Sequence, residues 1–133
     1  MREINIKIIP HNEQRYETCG DYYCDENGVT QIRVSEMCDI RHTYLVMIHE
    51  LAEVMLTDIG NIPESEISKF DIDFENKRQE GNFDEPGDDP EAPYVYQHCI
   101  ATAIERVMCV ELGCLWKKYE EECNSLKQNK EKE

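Results

Sequence analysis

The sequence predicts an α+β domain, with a small antiparallel β-sheet or hairpin at the N-terminus packed on three or more α-helices. Two patterns carry that expectation. Before residue 35, short segments alternate apolar and polar residues. From residue 40 to 112, apolar residues recur three and four apart. A third observation bears on function. His49-Glu50-Leu51-Ala52-Glu53 sets an imidazole and a carboxylate one helical turn apart, with a second carboxylate beside the imidazole.

The elements follow in order. Ile4-Asn5-Ile6-Lys7-Ile8 has the period of a half-buried strand, ended by Pro10. Tyr22-Tyr23-Cys24 and Val29–Val34 flank Asn27-Gly28, whose residues tolerate positive φ, so a β-hairpin is expected there. Ile32 and Val34 would face one side, Gln31 and Arg33 the other. A helix from Ile40 or Thr43 to Asp58 follows, with Gly60 as its C-cap. Its apolar stripe is Leu45, Ile48, Ala52, Met55 and Ile59, with His49 and Glu53 at one margin and Glu50 turned further toward solvent. Pro63-Glu64-Ser65-Glu66 opens a second helix, with Ile67, Phe70 and Phe74 on its core side, fading near Gly81. Three prolines and two glycines make residues 81–93 a loop. The third helix runs from about Tyr94 to Leu112, broken near Gly113. His98, Ala101, Thr102, Glu105, Met108, Cys109 and Leu112 share one of its faces.

At 133 residues the chain holds one core. Residues 1–116 read as a single metallohydrolase-like domain, and 117–133 as a charged C-terminal tail, helical at first and then frayed. Hydrophobic residues make up 40% and charged residues 32%, a folded and soluble balance. No apolar run approaches the roughly 18 residues of a membrane span. Met1-Arg2-Glu3-Ile4 lacks the plan of a signal peptide, so a cytoplasmic protein is expected. Seven cysteines, an odd number without an export signal, read as reduced and mostly buried thiols. Cys19/Cys24 and Cys109/Cys114 both lack the spacing of a zinc knuckle. The formal charge of −15 argues against direct nucleic-acid binding, which needs a basic patch. It leaves open an acidic protein that binds a basic partner, or one that imitates DNA. A solvated acidic surface is the simpler reading.

The chemistry rests on two helices that each carry a histidine and a carboxylate on a semi-apolar face. His49, Glu53 and His98 form a candidate ligand set for zinc, or for another divalent transition metal such as manganese, iron or nickel. Glu105 is either a fourth ligand or an acceptor that fixes the tautomer of His98. Glu50 would act as general base on a metal-bound water. Asp71, Asp73 and Glu75 offer further oxygen ligands, with simple solvation as the alternative. The competing account of the whole set is an ordinary i,i+4 pair, with His98 a lone core histidine.

Val46-Met47-Ile48-His49-Glu50-Leu51-Ala52-Glu53 resembles the active helix of the zincin-like metallopeptidases, and a hairpin and strand before that helix resemble their minimal core. More narrowly, three segments resemble a family of uncharacterised phage and prophage proteins. They are His49–Glu53, Phe70-Asp71-Ile72-Asp73-Phe74-Glu75, and Glu85-Pro86-Gly87-Asp88-Asp89-Pro90-Glu91-Ala92-Pro93-Tyr94 with His98 and Ile104-Glu105-Arg106. The zincin resemblance implies a zincin-like fold and cleavage of a peptide or amide bond. Zincins carry histidine where this chain has Glu53, and His98 would restore a set of two histidines and one glutamate. The expected substrate is a peptide or protein, selected as basic by the acids of loop 81–93. The alternative is an acidic phage-type binding protein that blocks a host partner, with a structural metal or none.

Overall fold

The computed structural model describes residues 1–131, with side chains described for residues 1–127. Three strands and four helices follow one another along the chain. They are β1 (Ile4–Ile9), β2 (Gly20–Cys24), β3 (Thr30–Ser35), α1 (Ile40–Ile59), α2 (Glu64–Asn76), α3 (Val95–Glu111) and α4 (Trp116–Glu131). The α+β class is therefore as the periodicities predict.

The β2–β3 hairpin forms where Asn27-Gly28 places it. Gly28 has φ +79°, a left-handed conformation that costs glycine least. Asp25 holds the turn by accepting from the backbone N–H groups of Asn27 at 2.9 Å and Val29 at 3.0 Å. The sheet as a whole is mixed, which corrects the expectation of an antiparallel one. Its order is β1-β3-β2, and β1 runs parallel to β3, with Ile6 opposite Ile32 and Ile8 opposite Val34. The physical reason is the connection after Pro10, too long for a tight turn. It doubles back at the same end of the sheet but skips one strand position, and β3 then fills the gap running parallel to β1. Gln14 pins this connection from a buried position, donating to the carbonyls of Cys19 and Arg33.

Ile32 and Val34 are fully buried on the central strand, whereas Ile4, Ile6 and Ile8 on the edge strand stay 46%, 37% and 41% exposed. The helices thus cover the middle of the sheet. The core joins Ile32 and Val34 to Leu45, Val46, Ile67, Tyr94, Cys109 and Tyr119.

α1 begins where the Asp39 side chain accepts from Arg41 N–H at 3.0 Å, and it ends at Gly60. The left-handed residue after it is Asn61, with φ 57°. α2 stops at Asn76, short of Gly81. α3 ends before Gly113, with φ +75°.

The segment read as a tail is α4, and its first half belongs to the packed domain. Tyr119 is buried against Trp116 and His42, and Cys123 and Leu126 pack on the same core. Glu122 accepts from Cys38 N–H at 2.6 Å and lies 2.7 Å from His42 Nδ1. Fraying at the chain end lies outside the described residues. All seven cysteines are free, but they are not mostly buried as expected: Cys19 and Cys109 are buried, Cys114 and Cys123 partly so, and Cys24, Cys38 and Cys99 are exposed. No helix among the described residues is long and apolar enough to cross a membrane.

Candidate metal centre

The buried side of α1 differs from the stripe its apolar residues suggest. Leu45, Val46, His49, Ala52, Glu53 and Thr57 face inward, and Met55 and Ile59 are 53% and 81% exposed. His49 and Glu53 therefore sit in the middle of the contact rather than at its margin. Such burial is tolerable only where the polar atoms find partners, and α3 supplies them. Its inward face carries His98, Ala101, Glu105 and Cys109, as its own spacing predicts.

Four side chains converge between the two helices. His49 Nε2 lies 2.7 Å from Glu53 Oε2, and His98 Nδ1 lies 2.7 Å from the same oxygen. The two ring nitrogens are 3.2 Å apart. The other nitrogen of His49, Nδ1, meets Glu105 Oε1 at 2.6 Å. His49, Glu53, His98 and Glu105 are all at least nine-tenths buried.

Glu53 has to be satisfied at the centre of this cluster. Glu53 Oε2 is an acceptor facing two imidazole nitrogens, so either each ring donates a proton to it or a metal ion sits among the three. Without metal, protons fill the role. Burial opposes charge on His49, but hydrogen bonds with Glu105 and Glu53 outweigh it and hold its pKa well above the ordinary range. Burial opposes charge on His98 as well, and the carboxylates of Glu53 and Glu85 raise it to about 10. Burial pushes Glu53 up, but the two rings bring it below its usual value.

The donor atoms of His49, Glu53 and His98 lie within 4.8 Å of one another, close enough to hold a metal ion. Neighbouring donors of a tetrahedral zinc with ~2.1 Å bonds stand roughly 3.3 Å apart, so the Glu53 contacts would open by about half an ångström when a metal replaces the protons. Glu105 is placed behind His49. A carboxylate accepting from Nδ1–H would leave Nε2 as the lone pair offered to a metal that displaces the other ring proton. Glu105 thus touches His49 and not the ring of His98. Among the described residues, no cysteine joins a group able to hold a metal.

Glu50 lies on the wall of a cleft of about 530 Å³ that reaches the centre. Gly20 makes room for it, since a Cβ there would come within 2.6 Å of both Glu50 Oε1 and Val46 Cγ1. Glu50 is half-buried rather than turned to solvent. Burial, then repulsion from Glu53, raises its pKa well above the ordinary carboxylate range. No hydrogen bond holds its carboxylate among the described residues.

Three sets of contacts, made by residues the sequence had singled out, were not legible in it. Asp71 accepts from Tyr94 Oη at 2.5 Å and Tyr16 Oη at 3.3 Å, and burial raises its pKa to about 7. It is neither solvated nor grouped with the metal donors, and nothing in its local sequence distinguishes it from Asp73. Glu75 is taken up by Arg78, at 2.8 Å. Glu85 and Asp88 approach the outer nitrogen of His98 from a 3-10 turn at Pro86–Asp88. The Pro-Gly-Asp pattern was the only signal for that turn, and it named no partner. Compared with protein-family models, with curated proteins and with solved structures, the chain matches none of them.

Proposed function

We propose that this chain is a metal-dependent hydrolase acting on a peptide or amide bond. One observation carries the reading: two histidine nitrogens and a glutamate oxygen converge in a buried pocket at the end of an open cleft, with an unbonded carboxylate, Glu50, on the cleft wall. Kinship with zincin-like metallopeptidases rests on the HExxE helix and the hairpin and strand before it. A zinc ion, or another divalent transition metal, would supply Lewis acidity there and lower the pKa of water. His49, Glu53 and His98 would hold it, and Glu105 would orient His49. Glu50, its proton affinity raised by burial, suits the role of general base near neutral pH. Asp84, Glu85 and Asp88 of the 81–93 loop line the cleft and favour a basic substrate.

The second reading, an acidic protein that occupies a host partner, is favoured by α3. Its outer face exposes Tyr96, Ile100, Val107 and Val110 by 51–81%.

Metal analysis of protein purified without chelator separates the two. The hydrolase reading expects a bound transition metal that a His49→Ala/His98→Ala variant loses, and loss of activity in Glu50→Gln with metal retained. Absence of metal, or metal unchanged in the double variant, ends it. Biological activity left intact by Glu50→Gln in metal-loaded protein favours the binding protein.

A further inference from the structure

The 85–88 turn has no role in the centre described so far, yet it is built around one of its residues. Gly87 is buried against the ring of His98, where an added Cβ would stand 2.4 Å from Cγ and Nδ1. Only a residue without a side chain lets the turn close this far. The closure sets Glu85 Oε2 at 3.1 Å and Asp88 Oδ1 at 3.2 Å from His98 Nε2. Neither oxygen lies where a ring N–H would hydrogen-bond to it, and Nε2 is a buried polar atom without a hydrogen-bond partner. Such orphans are rare in folded proteins and call for a cause.

We infer that His98 Nε2, Glu85 and Asp88 form a second divalent-cation site, outside the first and sharing its histidine. The three donor atoms lie within 4.8 Å of one another. Their spacing from Nε2 already equals the edge of a coordination polyhedron, roughly 3.0–3.4 Å for bonds near 2.1 Å. An ion on the ring-nitrogen axis would be flanked by both carboxylates, which explains why neither is aligned as a hydrogen-bond acceptor. Glu85 and Asp88 are 56% and 69% exposed in their side chains, so the ion keeps open positions for water or a ligand. Two carboxylates and one imidazole suit zinc or manganese. With the inner ion on Nδ1, the outer ion takes the lone pair freed when the last ring proton leaves to solvent. The inference rests on the proposed inner centre only through this shared ring.

Titration of zinc, and separately of manganese, into chelator-stripped full-length chain tests it by calorimetry and by metal analysis after gel filtration. The expected result is two equivalents for the wild type and one for Glu85→Gln/Asp88→Asn, whose exposed positions leave the fold intact by circular dichroism. One equivalent in the wild type that persists in this variant overturns the outer site. So do two equivalents that persist in it. His49→Ala/Glu53→Gln separates the readings. One equivalent left there, and absent once Glu85 and Asp88 are also replaced, supports the outer site. A wild-type ion retained by that variant but lost with Glu85 and Asp88 supports the outer site while removing the inner one.

Discussion

Glu105 Oε1 stands 2.6 Å from Nδ1 of His49, on a different helix and 56 residues further along the chain. That contact decides which nitrogen of His49 faces the centre. A ring whose Nδ1–H is held by a carboxylate has only Nε2 left to offer a metal ion as a lone pair, once the proton shared with Glu53 is displaced. Glu105→Gln keeps an acceptor oxygen but removes the charge. It should weaken zinc at the His49 site by about 10–100-fold without removing it. Competition against a chromophoric chelator measures this, and an unchanged affinity would show that Glu105 does not orient the ligand.

Gly87→Ala should disturb the centre from a distance in sequence. The new methyl meets the His98 ring at 2.4 Å, so the turn or the ring must move. Overpacking of this kind costs about 1–3 kcal/mol. Urea denaturation of metal-free protein should show the loss, and metal affinity should fall with it. A variant as stable as the wild type, with unchanged affinity, contradicts the close contact.

Asp71 gives a pH signature. Its pKa is about 7 in the folded protein against an ordinary 3.8, chiefly through burial. Below 3.8 both folded and unfolded states hold the proton. Between these values the folded state keeps a proton that the unfolded state has lost, so stability falls as pH rises. Above 7 both are ionised and the penalty is constant. The fall is at most roughly 1.4 kcal/mol per pH unit. Asp71→Asn should remove it, and denaturation of chelated protein from about pH 4.5 to 8 should show the variant gaining stability relative to the wild type as pH rises. Parallel curves would mean that Asp71 titrates normally.

Tyr119→Ala tests whether α4 belongs to the domain. Tyr119 is 4% exposed, with its ring 5.2 Å from that of Trp116 and 5.4 Å from that of His42. Removing it should cost about 3 kcal/mol, the scale of a buried aromatic truncation. A loss under about 0.5 kcal/mol, as for an exposed position, would return α4 to the status of a tail.

The sequence by itself determined what one or two turns of chain can encode. The hairpin turn at Asn27-Gly28 follows from local φ preferences, the inward face of α3 from its spacing, and the His49–Glu53 pair from the i,i+4 geometry of a helix. Tertiary structure decided everything that depends on a partner. The strand that β1 pairs with hangs on the connection pinned by Gln14. The inward face of α1 could not be read from its apolar residues, because what buries it is polar. His49 and Glu53 are stable there only because Glu105 and His98, 56 and 45 residues away from their respective partners, arrive to satisfy them. Asp71 and the turn at 85–88 join the cleft for the same reason. Periodicity reports how apolar a face is. Whether a polar face can be buried is settled by desolvation against hydrogen bonding, and that balance exists only once the helices have met.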